Sequence, residues 1–436
     1  NVRAQDDFYQ YACGGWMKNN PLPAAYSRFG SFDRLSLDNN KRINSILTEL
    51  QKGKYAKGTL EQKISDLYKL AMDSVRRNAE GVKPVLPYLV EMEACCDKSS
   101  LQALQLKYAP FGFGLPFGAG FGADEKDSKN NIMNVYQGGL TLGQKEYYID
   151  NDDATTKIRE EYKKYVVRMF RLFGFSWGEA TAKMEAIMRI ETQYAIASKS
   201  KTELRDVEKN YNKMSLSDFE KNYPNLRFTQ IENAEGVKTE YIQNLVVGQP
   251  EFLAAADKVV AMMTADELRA VMEWDVINGS TSLLSDEVAS ASFDFYGKII
   301  SGRKQDYERW KKATSMVESV LGQALGKMYC ERYFPESSKT RMKTLVANLQ
   351  TSLGERIMAQ EWMSEDTKKA ALDKLSTFYV KIGYPDKWKD MSGLQIDPAK
   401  SLYENIIAAR LFRHQQRIEE TAGKPVDRDE WQFFNF

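Results

Sequence analysis

Leu60-Glu61-Gln62-Lys63-Ile64-Ser65-Asp66-Leu67-Tyr68-Lys69-Leu70-Ala71-Met72 is the stretch that decides the fold class. Leu60, Ile64, Leu67, Tyr68 and Ala71 recur at intervals of three and four, which places them on one face of an α-helix. The same periodicity recurs outward from this stretch, at 156–174, 178–199, 251–262, 265–277, 308–332, 339–358 and 399–420. Ser364 reads as an N-cap, with Glu365 and Asp366 in a first turn where the helix dipole favours acids. That helix is expected to run to about Ile382 and to stop at Gly383-Tyr384-Pro385. The chain therefore reads as mostly α.

One region breaks the pattern. Pro110 to Gly122 alternates glycine with Phe111, Phe113, Leu115, Phe117 and Phe121; Asp124 to Asn130 is polar, and Ile132 to Tyr136 is apolar again. This predicts a small β-hairpin or sheet near 110–137, two strands joined by a polar turn, with glycines allowing another backbone to approach. A core-lining hairpin is favoured over a ligand-cradling glycine loop, since no Gly-x-Gly-x-x-Gly precedes a helix and no phosphate-loop Lys-Ser/Thr occurs.

At 436 residues the natural expectation is two domains. Charged residues at 28% and hydrophobic residues at 43% give the balance of a folded globular protein. The formal net charge of +1 offers no electrostatic reason to expect nucleic acid or an anionic membrane as a partner. No apolar run reaches the roughly 20 residues of a membrane span, so no transmembrane segment is expected in these residues. The sequence begins at Asn1, and any anchor or signal is expected to have been removed or not included. Neither internal repeats nor low-complexity linkers are evident. Cys13, Cys95, Cys96 and Cys330 are too scattered for a disulfide scaffold, and at least three of them read as unlinked thiols. A single histidine, His414, and no Cys-x-x-Cys exclude a zinc ribbon or finger. His414 lies in Arg413-His414-Gln415-Gln416-Arg417 and reads as a solvated or hydrogen-bonded side chain rather than a ligand. Asp427, Asp429 and Glu430 are close in sequence, but carboxylates alone are an unusual zinc set.

Further motifs follow one another along the chain. Asp7-Phe8-Tyr9-Gln10-Tyr11-Ala12-Cys13-Gly14-Gly15-Trp16 precedes Pro21-Leu22-Pro23 and Ser27-Arg28-Phe29-Gly30-Ser31-Phe32-Asp33. Gln137-Gly138-Gly139-Leu140 comes before Glu146-Tyr147-Tyr148, followed by Glu308-Arg309-Trp310 and by Leu321-Gly322 through Gly326 to Tyr329. Met363 to Ala371 then leads to Lys381-Ile382-Gly383-Tyr384-Pro385-Asp386, and last comes Val426-Asp427-Arg428-Asp429-Glu430-Trp431. Together these segments resemble the neprilysin and oligopeptidase-O family of zinc metalloendopeptidases, from about Asp7 to Trp431.

The resemblance implies a mostly helical, two-lobed protein whose lobes enclose a cavity that admits small peptides. Residues 1–206 would be the non-catalytic framework of the catalytic lobe, 207–385 a helical lid lobe, and 386–436 a return segment into the catalytic lobe. That lobe is expected to be incomplete. The family's His-Glu-x-x-His helix and third zinc ligand are absent from these residues, so no catalytic residue and no metal ligand is assigned here. Zinc is implied for the full-length family member and none is expected on this chain, which is expected to be inactive alone and to partner a missing C-terminal catalytic domain. Arg28, by the resemblance, binds the carboxylate end of a short peptide. Phe32 would lie near the pocket for the side chain after the scissile bond, and Asp33 would orient Arg28, since a guanidinium fork reads a carboxylate bidentately. Cys13 would pair with a cysteine in the absent part, and Trp16, Trp310 and Trp431 would pack in cores or between lobes.

The function so implied is cleavage of small peptides on the N-terminal side of hydrophobic residues. A natural inactive relative that binds peptides or acts as a scaffold is the alternative, and a gene fragment without a function of its own is a third reading. The location implied is extracytoplasmic, and low cysteine use points toward a bacterium. The first and last segments are expected to expose apolar surface that a missing domain would cover.

Overall fold

The computed structural model describes residues 2–431. The ending Gln432 to Phe436 lies outside the described residues. The chain opens with α1 (Phe8–Asn19), α2 (Ser31–Leu50), α3 (Leu60–Met72), α4 (Ser74–Glu80), α5 (Leu86–Glu93) and α6 (Lys98–Lys107). A hairpin follows, β1 (Phe117–Asp124) and β2 (Asp127–Gln137), then α7 (Glu146–Ile149), α8 (Asp153–Leu172) and α9 (Trp177–Ala197). The middle holds β3 (Asn212–Ser215), α10 (Leu216–Asn222), α11 (Phe228–Ala234) and β4 (Asn244–Val247). Next come α12 (Pro250–Met262), α13 (Ala265–Ser280), α14 (Asp286–Ser292) and a π-helix over Phe293–Ile300. The chain closes with α15 (Arg309–Tyr333), α16 (Glu336–Met358), α17 (Glu365–Ser376) and α18 (Leu402–Thr421).

The helices start where their side chains can satisfy the free N–H groups of the first turn. Thr59 accepts from the Gln62 N–H ahead of α3, and Asp152 accepts from Ala154 and Thr155 ahead of α8. Ser176 with Glu179, Thr264 with Glu267 and Ser401 with Glu404 form reciprocal capping boxes on α9, α13 and α18.

The sheet runs in the order β1-β2-β4-β3. β1 and β2 pair antiparallel with Phe117 opposite Gln137, β2 and β4 run parallel with Met133 beside Leu245, and β3 returns antiparallel with Asn212 opposite Val247. The expected hairpin is present, and Phe117, Phe121, Met133 and Val135 carry its apolar face into the core. Its turn is tighter than the polar run suggested, because Asp127 to Asn131 already belong to β2. β3 and β4 went unread in the sequence. At four residues each they are too short for a period-two pattern to register.

α2, α3 and α15 pack through Ile46, Leu47, Ile64, Leu67, Val317 and Val320, all buried. α8, α9 and α13 pack around Trp274, which is 1% exposed and rests on the rings of Tyr162, Tyr165 and Phe170. The buried apolar side chains form one cluster from Ile46 to Ala422, so the core is continuous across residues 206/207 and 385/386. The pairing of β2 with β4 also crosses the first of these positions.

The helix at Ser364 is capped as expected, but it ends at Ser376 rather than near Ile382. Thr377-Phe378-Tyr379-Val380 follow, β-branched and aromatic residues that favour helix weakly, and α17 buries no side chain that would hold them in register.

Candidate functional site

Arg28, Phe32 and Asp33 lie at the loop that enters α2. The loop is tethered by the Lys304 and Gln305 N–H groups, both donating to Ala24 O at 3.0 Å. Aromatic rings line it: Trp16 stacks on Phe29 with centroids 6.2 Å apart, and Tyr26 meets Phe29 at 5.3 Å and Tyr307 at 5.6 Å. Trp16 is thus partly exposed on this platform rather than in a core. Arg28 is exposed and makes no hydrogen bond or ion pair among the described residues, and Phe32 is 82% exposed.

Asp33 makes no hydrogen bond or ion pair with Arg28 among the described residues. Its carboxylate accepts the Gly30 N–H at 2.8 Å, the N3 half of the cap on α2. The structure therefore presents a free guanidinium and a free phenyl ring beside an aromatic platform, and gives the neighbouring acid to the helix cap. The signal was legible: an acid three residues after Gly30, at the start of an apolar helix.

A second feature was not foreseen. A cavity of about 510 Å³ opens between the 110–115 loop, the turn at 139–141, α9, α13 and α18. The glycines of the first loop thus serve two ends. Those in β1 make the hairpin, whereas Gly114, at φ +70, turns its N–H onto Asp275 Oδ2 at 2.7 Å. A Cβ at Gly114 would come within 3.0 Å of the Gln105 and Met272 side chains.

Glu191 also lines this cavity. Its carboxylate accepts from the hydroxyls of Thr141, Tyr148 (2.8 Å) and Tyr162 (3.0 Å), and Thr141 in turn accepts from Trp274 Nε1 at 3.0 Å. Burial pushes the Glu191 carboxyl up to about 7, against the lowering effect of the three hydroxyls. Burial likewise brings Asp275 to about 7, with the Gly114 N–H opposing. The donors to Glu191 come from positions 141, 148 and 162, so no local motif could have announced the cluster.

His414 Nε2 lies 2.9 Å from Glu235 Oε2, within ion-pair range but out of line for a hydrogen bond. Glu430 pairs with Lys389 at 3.0 Å, and Asp429 accepts from Tyr379. Among the described residues no three His, Cys, Asp or Glu side chains converge on a point where a metal ion could sit. Cys13, Cys95, Cys96 and Cys330 are free thiols. Among the described residues no helix is long and apolar enough to cross a membrane.

The profile of peptidase family M13 matches residues 4–385. The chain belongs to peptidase family M13. Among the relatives of this M13 chain is bovine endothelin-converting enzyme 1, 27% identical over 442 residues, covering 98% of this chain and 58% of that enzyme. Another is the neutral endopeptidase of Lactobacillus helveticus, 27% identical, covering 99% of this chain and 66% of the relative. In fold it is similar to the Mycobacterium tuberculosis zinc metalloprotease Zmp1 in complex with inhibitor. The TM-score is 0.91 and the identity 29%, over 99% of this chain and 65% of Zmp1. It also shares the fold of PepO from Lactobacillus rhamnosis, with a TM-score of 0.86 and 99% of this chain covered. The mostly helical neprilysin-like fold with a small mixed sheet is therefore shown. The M13 chain spans about 58% of the bovine relative's length.

Proposed function

We propose that this chain is the non-catalytic framework of an M13 zinc metalloendopeptidase that cleaves small peptides on the N-terminal side of hydrophobic residues. The observation that carries the reading is the family match over 4–385, joined to relatives whose length the chain spans only in part. The zinc ligands and the general base would come from polypeptide matching the rest of the relatives' length, a reading supported by the lack of a His, Cys, Asp and Glu group suited to a metal among the described residues. The chain alone would be inactive.

Two open apolar surfaces support this arrangement. Phe8, Tyr9 and Tyr11 of α1, with Phe32 and Leu35 of α2, are exposed, and so are Met342, Leu345, Leu349 and Leu353 of α16. Surfaces of this extent are ordinarily covered in a working assembly, and a catalytic domain is the occupant the family match favours. Arg28 would orient a peptide through its terminal carboxylate, with Phe32 near the pocket for the following side chain. The lobe boundaries 1–206, 207–385 and 386–436, and an extracytoplasmic location, belong to the same proposal. Limited proteolysis of the folded chain checks the boundaries: cuts near 206 and 385 that release stable pieces support them, and cuts elsewhere remove them.

The test compares the 436-residue chain with the protein isolated from its native source. The chain is expected to bear no stoichiometric zinc and to leave a fluorogenic hydrophobic peptide intact. The native protein is expected to cleave that peptide and to stop on chelation. One equivalent of zinc on the chain, lost in His414→Ala, overturns the assignment. A native protein that binds such peptides without cleaving them instead supports the inactive relative. In the active form, Arg28→Ala is expected to weaken peptides with a free C-terminal carboxylate by about tenfold or more, and amidated peptides far less. Equal loss on both removes Arg28 from the site.

A further inference from the structure

The 510 Å³ cavity between the 110–115 loop, α9, α13 and α18 lies within the size range of small-molecule sites, about 300–1,000 Å³. Its walls mix apolar side chains, among them Leu115, Leu140, Ile190 and Val271, with polar ones, among them Thr141, Tyr194, Asn278 and Tyr403. Two carboxylates and one guanidinium, at different depths, break this lining.

Asp275 contributes one oxygen to the Gly114 N–H, and its other oxygen has no partner among the described residues. Glu191 lies 4% exposed on the same lining, already engaged by three hydroxyls. Among the described residues the Gly114 N–H is the one donor that reaches Asp275. Arg410 of α18 is exposed, lines the cavity and forms no hydrogen bond or ion pair among the described residues. Gly139 and Gly279 are the other exposed lining residues.

These placements select the occupant by charge. A simple anion would pass Arg410 and then meet two carboxylates, whereas a simple cation would meet Arg410 at the entrance. A molecule carrying an ammonium at one end, an apolar body and a carboxylate at the other satisfies both ends at once. We propose that this cavity binds a small zwitterion of the apolar amino acid or dipeptide class. Its ammonium lies on Asp275 and its carboxylate on Arg410. The inference is independent of the peptidase reading, since it uses only residues of this chain and requires neither zinc nor turnover.

The partnerless oxygen of Asp275 carries the specificity. Asp275 is half-buried, and a partly desolvated carboxylate gains most from a donor that is itself charged. The hydroxyls around Glu191 keep that side chain fixed, so Glu191 positions the inner wall and Asp275 makes the contact. Leu115, Ile190 and Val271 would cover the apolar side chain of the ligand.

The experiment is calorimetric titration of the full chain with L-leucyl-L-leucine, run beside its N-acetyl and C-amidated forms. One-to-one binding of the free dipeptide is expected, weakened at least about tenfold by N-acetylation and by Asp275→Asn. Asparagine retains an acceptor for the Gly114 N–H, so the loop it anchors is kept. Arg410→Ala, at an exposed position, is expected to weaken the free dipeptide about fivefold or more and to leave the amidated form unchanged. If the wild-type chain fails to bind at about 10 mM, or binds the N-acetyl form equally well, the proposal is overturned. Binding that Arg410→Ala leaves untouched, in a variant with an unaltered melting temperature, overturns it as well.

Discussion

α3 and α16 carry the same signal in the sequence and meet opposite fates in the fold. In α3, Ile64, Leu67, Tyr68 and Ala71 form a stripe that is buried against α2, α15 and α18. In α16, Met342, Leu345, Leu349 and Leu353 recur at the same three- and four-residue intervals, yet all are exposed, and the one buried residue is Lys339. α16 packs on α17, which buries nothing. Periodicity therefore specifies a helix and its apolar face, but what covers that face lies in the rest of the chain or outside it.

The contrast is largest in the cost of truncation. Leu67→Ala is expected to destabilise the chain by about 2–5 kcal/mol, since the side chain is fully enclosed and its neighbours cannot close the gap. Leu349→Ala, at 61% exposure, is expected to stay within about 0.5 kcal/mol. Chemical denaturation of both variants checks the pair, and equal losses would mean that α16 is covered in the folded chain. If a catalytic domain covers α16 in the complete assembly, Leu349→Ala acquires a cost there that it lacks here.

Charge follows the same division. Glu232 on α11 is 3% exposed, and burial, with the charge of Glu235 adding to it, pushes its carboxyl up to about 8. Its folded pKa thus lies above the unfolded value, so the folded state holds an extra proton between about pH 4.5 and 8. The stability this confers is complete below the unfolded pKa and is lost as pH rises through about 8. Glu232→Gln is expected to match wild type near pH 4.5 and to exceed it at pH 9, by on the order of 5 kcal/mol. Melting curves across that range check the sign. A variant that gains nothing at high pH would mean that Glu232 reaches solvent, as the side chains of α16 do.

The hydrophobic positions read in the sequence located the long helices, because three- and four-residue spacing marks an apolar helix face whether the fold covers it, as in α3, or not, as in α16. Reading failed where the cause was distant. The short strands β3 and β4 and the Glu191 cluster depend on partners far along the chain. The Arg28 segment was legible as a motif, whereas the capping contact of Asp33 was not read. A capping acid and a charge-orienting acid look alike until the backbone N–H it accepts is placed.

Lys339, with Glu336, which accepts from the Tyr384 hydroxyl, holds the first turn of α16. The Lys339 ammonium donates to Tyr384 O at 3.0 Å and Asp386 Oδ1 at 2.7 Å, and lies 4.2 Å from the centre of the Tyr384 ring. Lys339→Ala is expected to loosen the first turn of α16 from the 384–386 turn, at a local cost of about 1–2 kcal/mol. Hydrogen exchange should then speed up over that turn and leave α3 unchanged. Faster exchange in both helices would mean that α16 supports the core after all.

The smallest effect on stability is expected from the exposed stripe itself. Trp362 is 76% exposed just beyond α16, and Leu349 is 61% exposed on it. The double variant Leu349→Ser, Trp362→Ser removes no buried contact, so its melting temperature should stay within about 1 °C of wild type. Its association should nevertheless fall, because an open apolar stripe in water lowers its free energy by meeting another surface. Sedimentation at rising concentration separates the two effects. Reduced self-association at constant stability supports an open face, whereas a drop of several degrees would mean that the stripe already belongs to the core and that the two helices do not differ.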